Sequence, residues 1–235
     1  MKKTMIQEKL KNMGVFLEDV SLGDFDVIGE YTAKKHRSSD SKQYKNSGCF
    51  FRPNYERGIL MYYLLRKREF KTVLEIGFGR GYATMCMAKA MVDHGIDGKI
   101  TTVDPNFDES FISQLTKIFP RSWFEKIEFV KSTSDMFFEN NMNRKFDFIY
   151  IDGDHRHEAV KRDWNNSKNM FQKALLFDDY FMPGKTQKDI ECSKVIDAID
   201  DFEKELIIMD RRIFFDDRRI ADEDIDYGQV LIELE

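Results

Sequence analysis

The sequence predicts an α/β protein with a seven-stranded, mostly parallel sheet and helices on both faces. Two observations carry this prediction. Short apolar segments alternate with longer segments of helical periodicity over residues 54–234. A glycine-rich turn also follows the first apolar segment. Parallel strands require crossover connections, which are usually helices, so the alternation favours a sheet that is covered on both sides.

Each expected strand is short, apolar and bounded by turn residues. The strands are expected at 73–76, 99–104, 127–130, 146–152, 174–178, 206–208 and 229–234. The helices are expected at 54–67, 82–92, 110–118, 157–173 and 189–204. The fourth strand is apolar almost throughout, as a central parallel strand should be. Ligands of such sheets bind at the carboxyl ends of the strands.

The length of 235 residues indicates one large domain with an extension. Residues 1–50 are polar and form the N-terminal extension, and 51–235 form the main domain. The polar segment 34–42 is typical of a solvated loop, or alternatively of a lid that orders over a bound substrate. The net charge of −5 disfavours a nucleic-acid partner, which would need a basic surface.

The sequence contains no apolar run of transmembrane length and no apolar segment after its basic start, so neither a membrane partner nor a secretory signal is expected. Its three cysteines, Cys49, Cys86 and Cys192, are isolated from one another. They match neither a disulfide framework nor a cysteine metal site. The expected location is the cytoplasm.

The turn after the first strand contains the most informative motif, an acid followed by three alternating glycines. Glu75 ends the strand, and Gly77, Gly79 and Gly81 follow. Glycines allow backbone to approach a ligand closely. A dinucleotide site would need its third glycine where Tyr82 stands. An acid at the strand end also disfavours a phosphate and favours a cationic ligand.

Asp104 ends the second strand and is placed to accept hydrogen bonds from two ribose hydroxyls, or alternatively to cap the turn at Pro105. Together with the glycine motif it makes 51–235 resemble the class I S-adenosylmethionine-dependent methyltransferases, which have a Rossmann-like sheet. The resemblance implies that Glu75 and the glycines contact the methionine and ribose parts of the cofactor. It also puts Thr133 and Ser134 near the adenine.

Three acids follow two further apolar strands: Asp152 after the fourth, and Asp178 and Asp179 after the fifth. Adjacent strands lie roughly 5 Å apart, so these carboxylates can meet and would then repel one another. A hard divalent cation such as Mg²⁺ or Ca²⁺, which prefers oxygen ligands, would neutralise them. The three acids are therefore candidate metal ligands; alternatively they cap helices or face water.

Residues 151–155 (IDGDH), with 177–180 (FDDY), resemble the divalent-metal-dependent O-methyltransferases, in particular the macrocin-type sugar O-methyltransferases. The resemblance covers about residues 52–182. It implies that Asp152, Asp178 and Asp179 hold Mg²⁺ or another divalent cation, that Asp152 also contacts the cofactor, and that His155 is the catalytic base. Alternatively, His155 holds one of the acids in place.

The expected function is metal-assisted methyl transfer from S-adenosylmethionine to a hydroxyl of a small molecule, first a sugar of a natural product or glycan. A catechol-type acceptor and a metal-independent methyltransferase are alternatives within enzymes. A non-catalytic S-adenosylmethionine-binding module is the alternative from another class. A homo-oligomer is possible, since an apolar N-terminal helix could pair subunits.

Overall fold

The computed structural model describes residues 1–16, 19–21, 25, 27–29, 32, 55–181, 190–209 and 227–234. The segment 34–42, which the sequence allows to be a lid, lies outside these residues, as does Cys49.

One sheet of eight strands organises the described part of the chain. The strands are β1 (Lys2–Met5), β2 (Thr72–Ile76), β3 (Lys99–Val103), β4 (Ile127–Val130), β5 (Phe146–Ile151), β6 (Phe171–Phe181), β7 (Glu205–Ile208) and β8 (Tyr227–Glu233). Their order across the sheet is β1-β7-β8-β6-β5-β2-β3-β4. Of these eight, β8 alone runs antiparallel to its neighbours. The predicted, mostly parallel sheet is confirmed.

The strand count differs from the predicted seven because β1 adds an edge strand beside β7. Its sequence KKTM is too short and polar to be recognised as a strand. Side chains fix it and the following helix in place: Thr4 Oγ1 donates to Glu205 Oε1 at 2.7 Å, and Lys9 Nζ lies 2.6 Å from Glu205 Oε2. Part of the N-terminal extension is therefore built into the main sheet.

The helices of the described residues cover both faces of the sheet, as predicted. They are α1 (Ile6–Asn12), α2 (Tyr55–Arg68), α3 (Tyr82–Asp93), α4 (Glu109–Leu115), α5 (Arg121–Phe124), α6 (Ser134–Asn140), α7 (His157–Ser167) and α8 (Cys192–Asp197). The helix predicted at 157–173 ends earlier because Phe171 already pairs with Phe146 in the sheet.

Strand β5 is buried throughout and separates two apolar cores. Phe148 and Tyr150 pack into the core that contains α2 and α3. Ile149 and Ile151 pack into the core on the opposite face, which contains α7 and α8. This alternation follows from the period of two in a strand. The apolar face of α2 is thus covered within the chain, while the oligomeric state stays a prediction.

Asp178 and Asp179 lie within β6 rather than after it, because the strand continues to Phe181. Between Phe177 and Tyr180 the pairing with β8 shifts by one residue, which is a β-bulge. Asp179 has a φ of +50° at this bulge. The irregularity redirects the two acids at the end of the sheet where the loops after β2, β3 and β5 also meet.

Candidate active site

The glycine loop, residues 77–81, connects β2 to α3 with three left-handed glycines, at φ +94°, +52° and +77°. A Cβ on Gly77 would lie 2.1 Å from the carbonyl oxygen of Asp152, and one on Gly81 would lie 2.5 Å from the Phe78 ring. A Cβ on Gly79 would have no atom within 4 Å. The outer two glycines permit close packing, and the middle one borders open space.

Glu75 lies directly below this loop, on β2, with 1% of its surface exposed. Thr84, in the first turn of α3, donates its hydroxyl to Glu75 Oε2 at 2.5 Å. Burial raises the pKa of Glu75 to about 7, although the Thr84 hydrogen bond lowers it. The carboxylate is therefore poised to gain its full charge when a cationic group approaches.

Asp104 holds the glycine loop from the neighbouring strand. Its Oδ2 accepts from the backbone N–H groups of Phe78 and Gly79, both at 3.1 Å, and its Oδ1 accepts from Asn106 N at 2.7 Å. The side chain is thus fixed at the edge of the open space beside Gly79, where its remaining lone pairs can accept from a ligand.

The two residues assigned to the adenine begin helix α6. Thr133 is its N-cap and accepts from Met136 N at 3.3 Å. Ser134 hydrogen-bonds to Asp163 on α7, an acid that the sequence analysis did not single out. Asp163 is buried, and its burial raises the pKa to about 6. It lies 3.7 Å from where a Cβ on Gly153 would be, so it connects the loops after β4 and β5.

Asp152 begins the loop after β5, and its backbone N–H donates to the Ile76 carbonyl at 2.8 Å. The Tyr150 hydroxyl oxygen lies 3.2 Å from Asp152 Oδ2. Burial, and then the charge of Asp178, raise the pKa of Asp152 well above its usual value. This loop therefore contacts the glycine loop through its backbone and the acids of β6 through its side chain.

Asp178 is fully buried and has partners on both oxygens. Its Oδ2 lies 2.5 Å from Arg57 Nη1 and accepts from the Tyr150 hydroxyl at 2.7 Å. Its Oδ1 accepts from Gln229 Nε2 at 3.2 Å. These partners come from α2, β5 and β8, so three separate elements converge on one carboxylate.

The side chain of Asp179, which is partly exposed, faces the loop after β5. Its Oδ1 lies 3.4 Å from Arg57 Nη2, and its Oδ2 lies 3.5 Å from His155 Nε2. One ligand atom each from Asp152, His155 and Asp179 lies within 4.8 Å of the other two. We call these three residues the ligand trio. Asp178, the third expected metal ligand, is not a member of this trio.

The opposite nitrogen of His155 faces helix α8. Cys192 Sγ lies 3.9 Å from His155 Nδ1 and also 3.9 Å from the His155 carbonyl oxygen. That carbonyl accepts from Glu191 N at 2.8 Å. The neighbouring His157 instead places its Nδ1 2.8 Å from Glu158 Oε1, outside the trio.

Sequence reasoning missed Arg57, Gln229 and Cys192 as parts of this site. None of them belongs to a motif that the sequence shows. A weak signal existed for Arg57, because an arginine in an amphipathic helix near three acids can supply the positive charge that the acids need. Nothing in the sequence around Gln229 points to the site.

One family of known proteins matches the middle of the chain. Residues 74–180 match the family described as "Methyltransferase domain". The matched segment is somewhat less than half of the chain. It runs from β2, through the glycine loop and the loop after β5, to the acids of β6, so the match includes the residues that the sequence singled out.

Solved structures extend the class I methyltransferase fold over nearly the whole chain. The O-methyltransferase TomG from Streptomyces achromogenes, involved in tomaymycin synthesis and solved with S-adenosylmethionine, is 13% identical, with a TM-score of 0.59 over 98% of this chain and 99% of that one. A Bacillus cereus O-methyltransferase solved with S-adenosylhomocysteine is 15% identical, with a TM-score of 0.57 over 97% of both chains. A putative O-methyltransferase from Klebsiella pneumoniae is 15% identical, with a TM-score of 0.58 over 89% of this chain and 90% of that one.

A search of curated protein sequences found no significant match to this chain. None of the helices in the described residues is long and apolar enough to cross a membrane.

Proposed function

We propose that this protein is an S-adenosylmethionine-dependent O-methyltransferase, assisted by a divalent cation, that acts on a hydroxyl of a small molecule. The observation that carries the proposal is the open space at Gly79 with Asp104 beside it, and the buried acid Glu75 on the strand that leads into the loop. A cofactor with a cationic amino acid end and a ribose fits this pair of acids. The methyltransferase-domain match and the fold of solved O-methyltransferases support it.

The cofactor residues are assigned by chemistry. The carboxylate of Glu75 attracts the ammonium group of the cofactor through the loop, and Asp104 accepts from the ribose hydroxyls. Gly77, Gly79 and Gly81 let the backbone approach, while Thr133 and Ser134 border the adenine. The Asp152 loop closes the other side, since its carbonyl would touch a Cβ on Gly77. S-adenosylmethionine, when bound, supplies the methyl group on a sulfonium.

Methyl transfer of this kind is an in-line displacement, so the acceptor oxygen must lie opposite the leaving sulfur. Much of the rate then comes from positioning. Asp152 lies next to the glycine loop through its backbone and belongs to the ligand trio through its side chain. The trio is therefore the part of the site where an acceptor oxygen can be held.

The cation assignment rests on the charges at this place. Three carboxylates meet there, and Arg57 supplies one positive charge. A divalent cation such as Mg²⁺ would neutralise the remaining two, and a bound cation lowers the pKa of a hydroxyl that it holds. Asp152 and Asp179 offer oxygens to it, whereas Asp178, also expected as a ligand, has partners on both of its oxygens.

The acceptor class follows from the need for a hydroxyl beside a cation. A sugar hydroxyl of a natural product or glycan is the first candidate, and the role of TomG in tomaymycin synthesis is in keeping with a natural-product acceptor. A catechol-type phenol is the second, because its vicinal oxygens would chelate the cation. Nucleic acid is not expected, given the net charge of −5.

Two rival functions differ in what they predict for one assay. The purified protein is incubated with isotopically labelled S-adenosylmethionine and a panel of sugars, glycosides and catechols, with and without chelator. Label transfer that is lost in chelator and restored by Mg²⁺ or Mn²⁺ is the expected result. Label transfer at the same rate with and without chelator supports a metal-independent enzyme. Cofactor binding without label transfer to any acceptor supports a non-catalytic binding module.

A further inference from the structure

We infer that His155, through Nε2, is the third protein ligand of the cation, together with Asp152 and Asp179, and that Asp178 does not bind it. This inference rests on the cation in the proposed function. It replaces the oxygen-only set of Asp152, Asp178 and Asp179, which the sequence motifs suggest, with a mixed set of one nitrogen and two carboxylates.

Asp178 is excluded because its carboxylate is fully buried and already has partners on both oxygens. Its side chain is 0% exposed. Arg57 and Tyr150 occupy Oδ2, and Gln229 occupies Oδ1. A cation that binds Asp178 Oδ2 would have to displace Arg57 from an ion pair whose acid is fully buried, and breaking such a pair is unfavourable.

The ligand trio has dimensions that suit a cation. Metal bonds to nitrogen or oxygen are about 2.0–2.2 Å long, so two ligand atoms on one cation lie roughly 3–4.4 Å apart. His155 Nε2 and Asp179 Oδ2 are 3.5 Å apart, and the trio fits within 4.8 Å. All three residues are partly exposed, so a cation and its remaining waters can reach them.

His155 is held so that Nε2 faces the trio. Its carbonyl is fixed by Glu191 N, and its Nδ1 lies 3.9 Å from Cys192 Sγ. The Cys192 thiol can donate a hydrogen bond to the His155 carbonyl, also at 3.9 Å, while its sulfur accepts a hydrogen bond from Nδ1–H. Metal-binding histidines usually donate their second ring N–H to a carboxylate, a carbonyl or water, and here the thiol of Cys192 takes that place, which leaves Nε2 with its lone pair.

The charges agree with this division of roles. Arg57 neutralises Asp178, which leaves two carboxylates and one neutral imidazole in the trio. A divalent cation balances that charge. An imidazole ligand also favours a transition metal such as Zn²⁺ or Fe²⁺ over Mg²⁺, which prefers oxygen ligands.

The inference changes what His155 does in the reaction. A nitrogen that binds the cation cannot at the same time accept the proton of the acceptor, so the ligand and base roles exclude each other. They also predict different results for metal binding, which can be measured without an acceptor.

The test uses Mn²⁺ as the probe on the full chain, with calorimetry for affinity and pulsed electron paramagnetic resonance for directly bound nitrogen. The wild type should show nitrogen coupling from one imidazole. His155→Ala should abolish the coupling and weaken Mn²⁺ binding at least about tenfold. His157→Ala is the matched control, since His157 pairs with Glu158 outside the trio, and it should change neither reading.

Asp178 is tested with Arg57→Met/Asp178→Asn, which removes both charges of this ion pair together, although Asp179 also loses its contact with Arg57. Circular dichroism establishes that each variant is folded. The inference expects Mn²⁺ affinity within about threefold of wild type for this pair, with the nitrogen coupling retained. A loss of tenfold or more in the folded double variant, or unchanged coupling in His155→Ala, would overturn it.

The proposed function fails separately. If S-adenosylmethionine binds and is used for methyl transfer while the wild type shows no nitrogen coupling, the inference is wrong and the methyltransferase stands. If the cofactor does not bind, the proposed function is wrong whatever Mn²⁺ does. Mn²⁺ affinity no greater than that of Asp152→Asn/Asp179→Asn would also overturn the inference, because no site would then exist at the trio.

Discussion

The two halves of the site are built in different ways. The glycine loop and its acids depend on backbone geometry within one strand-turn-helix unit and its neighbouring strand. The acids of β5 and β6 depend on side chains from α2, β8 and α8, which are remote in sequence. The first half is therefore built from local backbone geometry. The second half depends on charged and polar side chains that separate elements bring together.

The largest expected effect tests that balance. Arg57→Met should lower the free energy of unfolding by about 3–5 kcal/mol, because it leaves buried Asp178 without its cation. The loss should be larger at pH 8 than at pH 5, since Asp178 can take up a proton at the lower pH. Urea unfolding at both values measures it. Arg57→Met/Asp178→Asn should recover most of the loss, and failure to recover would mean that the ion pair does not hold this half together.

The glycine loop should break through its backbone alone. Gly77→Ala puts a Cβ 2.1 Å from the Asp152 carbonyl at a φ of +94°, so we expect a loss of about 3 kcal/mol or more. Gly79→Ala is the matched control, with a φ of +52° and no atom within 4 Å, and should cost only about 1–2 kcal/mol of strain. Equal losses in thermal unfolding would show that the clash does not matter.

The ionisation of Glu75 makes the free energy of unfolding depend on pH. Its pKa is about 7 in the folded protein against an ordinary 4.5. A raised pKa contributes stability below pH 4.5 that is lost as the pH rises through 7. Relative to wild type, Glu75→Gln should therefore gain about 3 kcal/mol of unfolding free energy between pH 4.5 and pH 8, without cofactor. A difference that does not change with pH would contradict the burial of this acid.

Tyr150→Phe should have the smallest effect. It removes the hydroxyl that donates to Asp178 at 2.7 Å, while Arg57 and Gln229 remain. We expect a loss of about 1–2 kcal/mol in denaturant unfolding. A loss as large as that of Arg57→Met would place the main support of Asp178 in the sheet rather than in α2.

The same contrast explains what the sequence could predict. The strands, the glycine loop and the positions of Glu75 and Asp104 follow from local patterns, because apolar runs and glycines constrain the backbone directly. Strand β1 escaped prediction because pairing with β7, rather than its own composition, makes it a strand. The β-bulge at Asp179 depends on register with β8, which no local pattern encodes.

The partners of the acids were beyond prediction for a related reason. Arg57 and Gln229 are placed by the packing of α2 and β8 against β6, so only the assembled sheet brings them to Asp178. The charge argument correctly required a positive group among three carboxylates. It did not foresee that the chain supplies one such group itself.

The central claim is that the space at Gly79 binds S-adenosylmethionine. Calorimetric titration of the wild type with S-adenosylmethionine, alongside Asp104→Ala, tests it most directly. We expect a dissociation constant near micromolar, about −8 kcal/mol, for the wild type and binding at least about tenfold weaker for the variant. No heat of binding in the folded wild type, or equal affinity in the two proteins, would contradict it.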